Sequence, residues 1–142
     1  MQPALFDTSI YVAALRRGND GVLTIRRLES SSIVWLSAVV LEELYAGAGA
    51  GGRDMVERLE RDFDRAKRIL VPSLGDWRNA GELLGLVAAK YGYERIGRGR
   101  LTNDALIAMS AARCGISVIT ANERDFRKLA EFRSFRWLIA PI

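Results

Sequence analysis

The sequence contains no histidine, and this absence excludes several kinds of catalytic site. Ser-His-Asp and Cys-His nucleophilic schemes need an imidazole base, and nuclease schemes with two histidines need two of them. Zinc sites rich in histidine are excluded for the same reason. Any catalysis by this chain must therefore use carboxylates, hydroxyl groups, lysine or arginine.

Cysteine is nearly absent too. Cys114 is the single cysteine, so the chain cannot form an internal disulfide. It lies in an Ala-rich helical stretch, where we expect a buried, inert thiol. The N-terminus lacks the pattern of a secretory signal, and no apolar run approaches the roughly 20 residues of a membrane helix. We therefore expect a reduced, cytoplasmic protein with no membrane contact.

The length and charge narrow the class of protein. With 142 residues, 49% of them hydrophobic, the chain is expected to form a single domain over residues 1–142. The net charge of +4 and the pI of about 9.6 favour a polyanionic partner.

Short apolar segments alternate with helix-like segments along the whole chain. The strand-like segments are 4–6, 33–36, 69–71, 118–120 and 137–139, and the helix-like ones are 10–17, 19–28, 38–46, 54–67, 73–91 and 104–113. The glycine-rich segment 47–52 is predicted to be a loop between two helices. This alternation predicts an α/β fold around a mostly parallel central sheet.

Isolated acids occupy the boundaries of these segments. Asp7 follows the first strand, Asp104 opens a helix, and Asn122 and Asp125 follow the strand 118–120. Glu43 lies about two turns into its helix, on a face shared with apolar residues. In a parallel α/β sheet, strand ends and helix starts meet at one edge, where ligands bind. Acids gathered there are suited to a divalent metal.

Each acid also has a simpler interpretation. Asp7 and Asp125 have the position of helix caps, and Asp104 that of a first-turn acid favoured by the helix dipole. Glu43 has the alternative of lying exposed beside Glu42. These interpretations do not explain why all the acids map to one sheet edge.

The same positions resemble the PIN-domain family, and within it the VapC-type toxins of bacterial toxin–antitoxin pairs. The matching segments are Asp7-Thr-Ser9, Ser37-Ala-Val-Val-Leu-Glu-Glu-Leu-Tyr-Ala-Gly47, Asn103-Asp-Ala-Leu-Ile-Ala108 and Val118-Ile-Thr-Ala-Asn-Glu-Arg-Asp-Phe126. Their order and spacing fit the family along nearly the whole chain. The resemblance implies a three-layer α/β/α fold and an endoribonuclease that uses Mg²⁺ or Mn²⁺. It also implies a homodimer and a cognate antitoxin protein.

The resemblance carries over residue by residue. Asp7, Glu43 and Asp104 match the metal-site acids, and Glu43 is chosen over Glu42 because the family places this acid before a leucine. The fourth position stays open between Asn122 and Asp125, since Asn122 stands where many members carry an acid. The hydroxyl residues that match supporting positions are Ser9 and Thr120.

We expect arginines to contact the RNA backbone, because one guanidinium group often donates two hydrogen bonds to the same phosphate. The candidates are Arg95, Arg98 and Arg100 in a Gly-rich segment before Asp104, and Arg16 and Arg17 at the end of the first helix. The simpler interpretation is a solvated basic surface.

An alternative function is a PIN-fold module that binds RNA or protein and cleaves weakly or not at all. A phosphoacceptor signalling domain is disfavoured because no acceptor Asp follows the third strand.

Overall fold

The computed structural model describes residues 1–93 and 101–140, which form five strands and six helices. The strands are β1 (Gln2–Phe6), β2 (Ser32–Ser37), β3 (Ile69–Leu70), β4 (Ser117–Thr120) and β5 (Trp137–Ile139). The helices are α1 (Thr8–Arg16), α2 (Asn19–Glu29), α3 (Ala38–Arg65), α4 (Leu74–Tyr91), α5 (Leu101–Cys114) and α6 (Glu123–Ala130).

Strand β1 lies at the centre of a parallel sheet with the order β3-β2-β1-β4-β5. The chain moves from β1 outward to β2 and β3, then returns to β4 on the other side of β1. Such a reversal opens a crevice at the carboxyl ends of the two strands beside it, here β1 and β4. The carboxyl edge of the sheet therefore has its natural binding site between these two strands.

The helices cover both faces of this sheet. Right-handed crossovers place α1, α2 and α3 on one face and α4, α5 and α6 on the other. The contacts between helices follow this division, except that α3 also touches α5. Both faces of the central strands are buried, as Leu5 and Phe6 of β1 and Val118 of β4 show. The predicted three-layer α/β/α fold is confirmed.

Helix α3 folds back on itself at Gly49, which has a positive φ of 63°. The Tyr45 hydroxyl donates a hydrogen bond of 2.6 Å to Glu60 Oε1. In a straight helix, residues 15 positions apart lie roughly 22 Å apart along the axis. The contact therefore requires two arms that pack side by side. The segment 47–52, predicted to be a loop, is a sharp kink between two helical arms, with Gly49 as its single non-helical residue.

Local signals mark the start of α4 and the end of α5. Ser73 and Asp76 form a capping box at the start of α4. Burial raises the pKa of Asp76, but hydrogen bonds from Arg113 and from the Ser73 backbone outweigh it, so the pKa lies below its usual value. Gly115 ends α5 with a φ of 67°.

Several expectations about individual residues are wrong. Cys114 is exposed, because it is the last residue of α5 and lies outside the helix face that packs on the sheet. Among the tryptophans, Trp35 and Trp137 pack against the core. Trp77 is 58% exposed, since α4 turns Asp76 and Ala80 inward at this point. Helix α5 begins at Leu101, before the predicted start at 104, and the N-cap of α6 is Asn122, so Asp125 is not the helix cap. Among the described helices, none is long and apolar enough to cross a membrane.

Gly21 allows α1 and α2 to pack in close contact, because a Cβ there would lie 1.9 Å from the Ala14 carbonyl oxygen. We predict that Gly21→Ala destabilises the protein by about 1–3 kcal/mol, since backbone has to move to admit the methyl group. The matched control is Gly81→Ala in α4, where a Cβ meets open space. It should stabilise the protein by about 0.5–1 kcal/mol. Urea unfolding measures both, and equal stability of the two variants would contradict the close packing.

Candidate active site at the carboxyl edge of the sheet

Asp7 occupies the crevice at the end of the central strand. Its backbone N–H donates to the Ile119 carbonyl oxygen of β4 at 3.0 Å, so Asp7 continues the β1–β4 pairing. Its side chain caps α1 by accepting from the Ile10 N–H at 3.4 Å. The residue is only 3% exposed. The helix-cap interpretation and a place in the site are therefore both compatible with this structure.

Two hydroxyl groups hold the Asp7 carboxylate. Ser9 Oγ donates to Oδ1 at 2.5 Å, and Thr120 Oγ1 donates to Oδ2 at 2.5 Å. Each hydroxyl oxygen in turn accepts a backbone N–H, at 3.0 Å from Ala121 and at 2.9 Å from Asn122. Those N–H groups fix the two hydroxyls with their protons available for Asp7. We call Ser9 and Thr120 the hydroxyl clamp.

Glu43 approaches the site from the first arm of α3. Its Oε1 accepts a hydrogen bond of 2.7 Å from the Thr8 hydroxyl, at the first position of α1. Its charge is close enough to raise the pKa of Asp7. Glu42 is exposed, whereas Glu43 is half-buried. The structure thus brings Glu43, and not Glu42, next to Asp7. Sequence reasoning missed Thr8, although its position beside Asp7 was a usable signal.

Asp104 lies in the first turn of α5 and is only 4% exposed. Helix α5 leads into β4, so it begins at the carboxyl edge of the sheet, and it contacts α3. A buried carboxylate at a helix start gains from the helix dipole. Asp104 therefore lies at the same edge as Asp7 and Glu43.

Asn122 and Asp125 interact directly at the start of α6. Asn122 is the N-cap residue, and its Nδ2 donates to Asp125 Oδ2 at 2.9 Å. Its backbone N–H donates to Thr120 of the hydroxyl clamp. This pair is therefore connected to Asp7 through Thr120.

Burial is the main reason that the pKa of Asp7 is raised above its usual value. Hydrogen bonds from Ser9, Thr120 and the Ile10 N–H lower the pKa, and the charge of Glu43 raises it further. The net upward shift in the pKa means that the protein environment disfavours the charged form of Asp7. A cation beside this carboxylate would favour the charged form.

The donor chemistry fits a hard divalent cation, because each candidate side chain offers oxygen atoms. Within residues 1–93 and 101–140, however, no three acidic, histidine or cysteine side chains are grouped closely enough to form a metal site. The described acids share an edge of the sheet but are not grouped at one point.

The structure describes only two of the five candidate arginines for RNA binding. Arg16 and Arg17 are exposed at the end of α1, roughly 12 Å along the helix axis from Thr8. Arg95, Arg98 and Arg100 lie outside the described residues.

The sequence matches the family model of the PIN domain over residues 4–132. The chain belongs to the PIN-domain family. No curated protein matches the sequence.

Solved structures with the PIN fold match almost the whole chain. VapBC2 from Rickettsia felis, bound to a DNA fragment from its promoter, gives a TM-score of 0.65 at 21% identity and covers 98% of this chain and 99% of that chain. VapBC-1 from nontypeable Haemophilus influenzae gives 0.64 at 20% identity, with 97% and 98% covered. FitAB bound to the IR36 DNA fragment gives 0.66 at 19% identity, with 96% and 94% covered. These likenesses establish that this PIN domain shares its fold with the three structures.

We predict that Asp7→Asn stabilises this PIN domain at neutral pH in the absence of metal. Because the pKa of Asp7 is higher in the folded protein than in the unfolded chain, Asp7 contributes stability below the unfolded pKa of about 3.8, and this stability is lost as pH rises through the folded pKa. The amide of asparagine does not ionise, so the variant avoids this loss of stability. The melting temperature of the variant in EDTA should exceed that of the original protein at pH 7, and the difference should shrink towards pH 4.

The matched control is Asp54→Asn, an exposed acid on α3, which should not change the pH dependence. An Asp7→Asn protein that melts at a lower temperature at pH 7 in EDTA would show that hydrogen bonding, and not burial of charge, dominates at this position.

Proposed function

We propose that this PIN domain is a metal-dependent endoribonuclease that hydrolyses single-stranded RNA. PIN domains are in general nucleases, which supports hydrolysis of nucleic acid. The observation that carries the proposal is the Asp7 carboxylate. It is buried in the crevice between β1 and β4, held on both oxygens by the hydroxyl clamp, and next to Glu43. A fold does not need such a costly buried acid for stability alone.

Asp7, Glu43 and Asp104 would hold Mg²⁺, with Mn²⁺ as an alternative, and Asn122 or Asp125 would complete the site. Such an ion would supply a bound water of lowered pKa and would neutralise charge on the phosphate. The hydroxyl clamp keeps the two oxygens of Asp7 in fixed directions, and Thr8 restrains Glu43. In-line attack by water gives a 5′-phosphate and a 3′-hydroxyl. The absence of histidine leaves the RNA 2′-hydroxyl without an obvious general base.

The test compares Asp7→Asn, Glu43→Gln and Asp104→Asn with the control Asp54→Asn. Each of the first three should reduce Mg²⁺-dependent cleavage of a single-stranded RNA at least 100-fold, because a ligand or its charge is lost. The control should cleave normally. Circular dichroism verifies that each variant is folded, and end-labelling of the products checks for a 5′-phosphate. Full activity in one variant would remove that residue from the site.

A second candidate function is an RNA- or protein-binding PIN module with little cleavage. The observation that favours it is that the described acids are not converged into one metal cluster. Binding of RNA without Mg²⁺- or Mn²⁺-dependent cleavage by the unmodified protein would support this second function and contradict the first.

We further propose that the protein is the toxin of a VapBC-type pair, a homodimer neutralised by a cognate antitoxin. The support is the shared fold with VapBC and FitAB structures. A groove of about 500 Å³ between α1, α2 and α3 offers a place for an amphipathic partner helix. Its apolar lining includes Tyr11, Ala14, Leu15, Ile25, Leu44, Met55, Val56 and Leu59. Cytoplasmic RNA would be the target.

Variants of the groove test whether the partner protein binds there. Leu15 and Met55 line the groove and are 51% and 52% exposed, so arginine at either position is compatible with folding. Leu15→Arg and Met55→Arg should each weaken co-purification with the product of the neighbouring gene more than tenfold and restore toxicity on co-expression. Leu74→Arg, at an exposed apolar residue outside this groove, is the control. Undiminished binding by both groove variants would place the partner elsewhere.

A further inference from the structure

Tyr11 is a buried polar residue that lines the groove between α1, α2 and α3. The residue is only 7% exposed, and its ring packs edge-on against Phe6 with 5.9 Å between the ring centroids. Within residues 1–93 and 101–140, the Tyr11 hydroxyl has no hydrogen-bond partner. A buried hydroxyl without a partner destabilises a protein. The groove therefore contains a polar group that a bound partner can satisfy.

Glu29 and Asp62 lie where this groove meets a second cavity. The second cavity has a volume of about 390 Å³ and lies between the end of α2, the start of β2 and the second arm of α3. It shares three lining residues with the groove, namely Glu29, Leu59 and Asp62. The two acids therefore mark a polar junction between two largely separate cavities.

Positive charge does not fully compensate the acids at this junction. Desolvation raises the pKa of Glu29, and the charge of Arg26 lowers it only in part. Desolvation also raises the pKa of Tyr11, and the charge of Glu29 raises it further, so the hydroxyl lies near this carboxylate. Arg26 and Arg58 line the groove as well. Among the described residues, however, neither arginine forms an ion pair with Glu29 or Asp62.

We propose that the partner's helix places one basic side chain at this junction, where Glu29 and Asp62 bind its charge and the Tyr11 hydroxyl oxygen accepts one of its hydrogen bonds. This inference rests on the proposed groove for an amphipathic partner helix. An arginine or lysine side chain donates several hydrogen bonds, so one group serves both the acids and the hydroxyl. The apolar residues of the same helix fill the groove.

Charge complementarity favours this occupant over other side chains. An apolar side chain at the junction would bury Glu29 further and would leave the Tyr11 hydroxyl without a partner, which is costly. An acidic side chain would meet two like charges. Tyr11 and Glu29 therefore determine specificity, because they favour a helix with a basic residue at one position and disfavour the alternatives.

Tyr11→Phe separates partner binding from folding. Phenylalanine keeps the ring and removes only the hydroxyl, so the melting temperature of the free protein should not fall. Binding of the purified product of the neighbouring gene, measured by isothermal titration calorimetry, should weaken about tenfold. Tyr93→Phe is the matched control, because Tyr93 is 78% exposed and lies outside the groove, and it should bind normally. Unchanged binding by Tyr11→Phe, or a lower melting temperature, would overturn the role of the hydroxyl.

Reversal of charge identifies the partner's basic residue. Glu29→Arg should weaken binding about tenfold or more, because like charges then meet at the junction. Changing one basic residue of the partner's helix to glutamate should restore the binding of Glu29→Arg. Glu42→Arg is the control, since Glu42 is an exposed acid on α3 outside the groove. If no single change in the partner restores binding, the proposal fails.

This inference and the proposed groove can fail separately. Loss of binding in Leu15→Arg and Met55→Arg, with full binding in Tyr11→Phe and Glu29→Arg, would overturn only the basic side chain at the junction. Undiminished binding in all four variants would overturn the groove as well. The proposed nuclease function does not enter this experiment, because binding is measured without RNA.

Discussion

Burial of the Asp7 carboxylate at the end of the central strand is the constraint on which the site depends. The residue lies in the crevice between β1 and β4, where the order of the strands reverses, and it is almost inaccessible to solvent. Removing a carboxylate from water is costly unless its oxygens are hydrogen-bonded. Ser9 and Thr120 provide those bonds, and each is itself oriented by a backbone N–H. The upward shift in the pKa of Asp7 shows that the compensation is incomplete.

Incomplete compensation is what a cation-binding carboxylate requires. A fully satisfied acid, such as Asp76 with its bonds from Arg113, is a structural element whose pKa is lowered. Asp7 instead has a neighbouring acid, Glu43, and its carboxylate accepts hydrogen bonds from two hydroxyl groups and a backbone N–H. The two acids thus have opposite electrostatic environments in the same fold, and only one environment suits a bound metal ion.

The kinked helix α3 serves two surfaces at once. Its first arm carries Glu43 to the site and Leu44 to the groove, and its second arm adds Met55 and Val56 to the groove. The bond between Tyr45 and Glu60 holds the arms together. Helix α1 also belongs to both surfaces, because Asp7 caps it and the groove lies along its side. The candidate site and the groove are therefore built on shared helices.

The sequence by itself determined the strands, the parallel sheet, the cap at Asp7, and the sheet edge where the acids lie. These features depend on local patterns and on the general geometry of α/β folds, which act over short segments. The tertiary structure decided what depends on long-range packing. It folded α3 back at Gly49 and turned Trp77 and Cys114 outward. It also joined Asp7 to Thr120, a contact across 113 positions that no local pattern encodes.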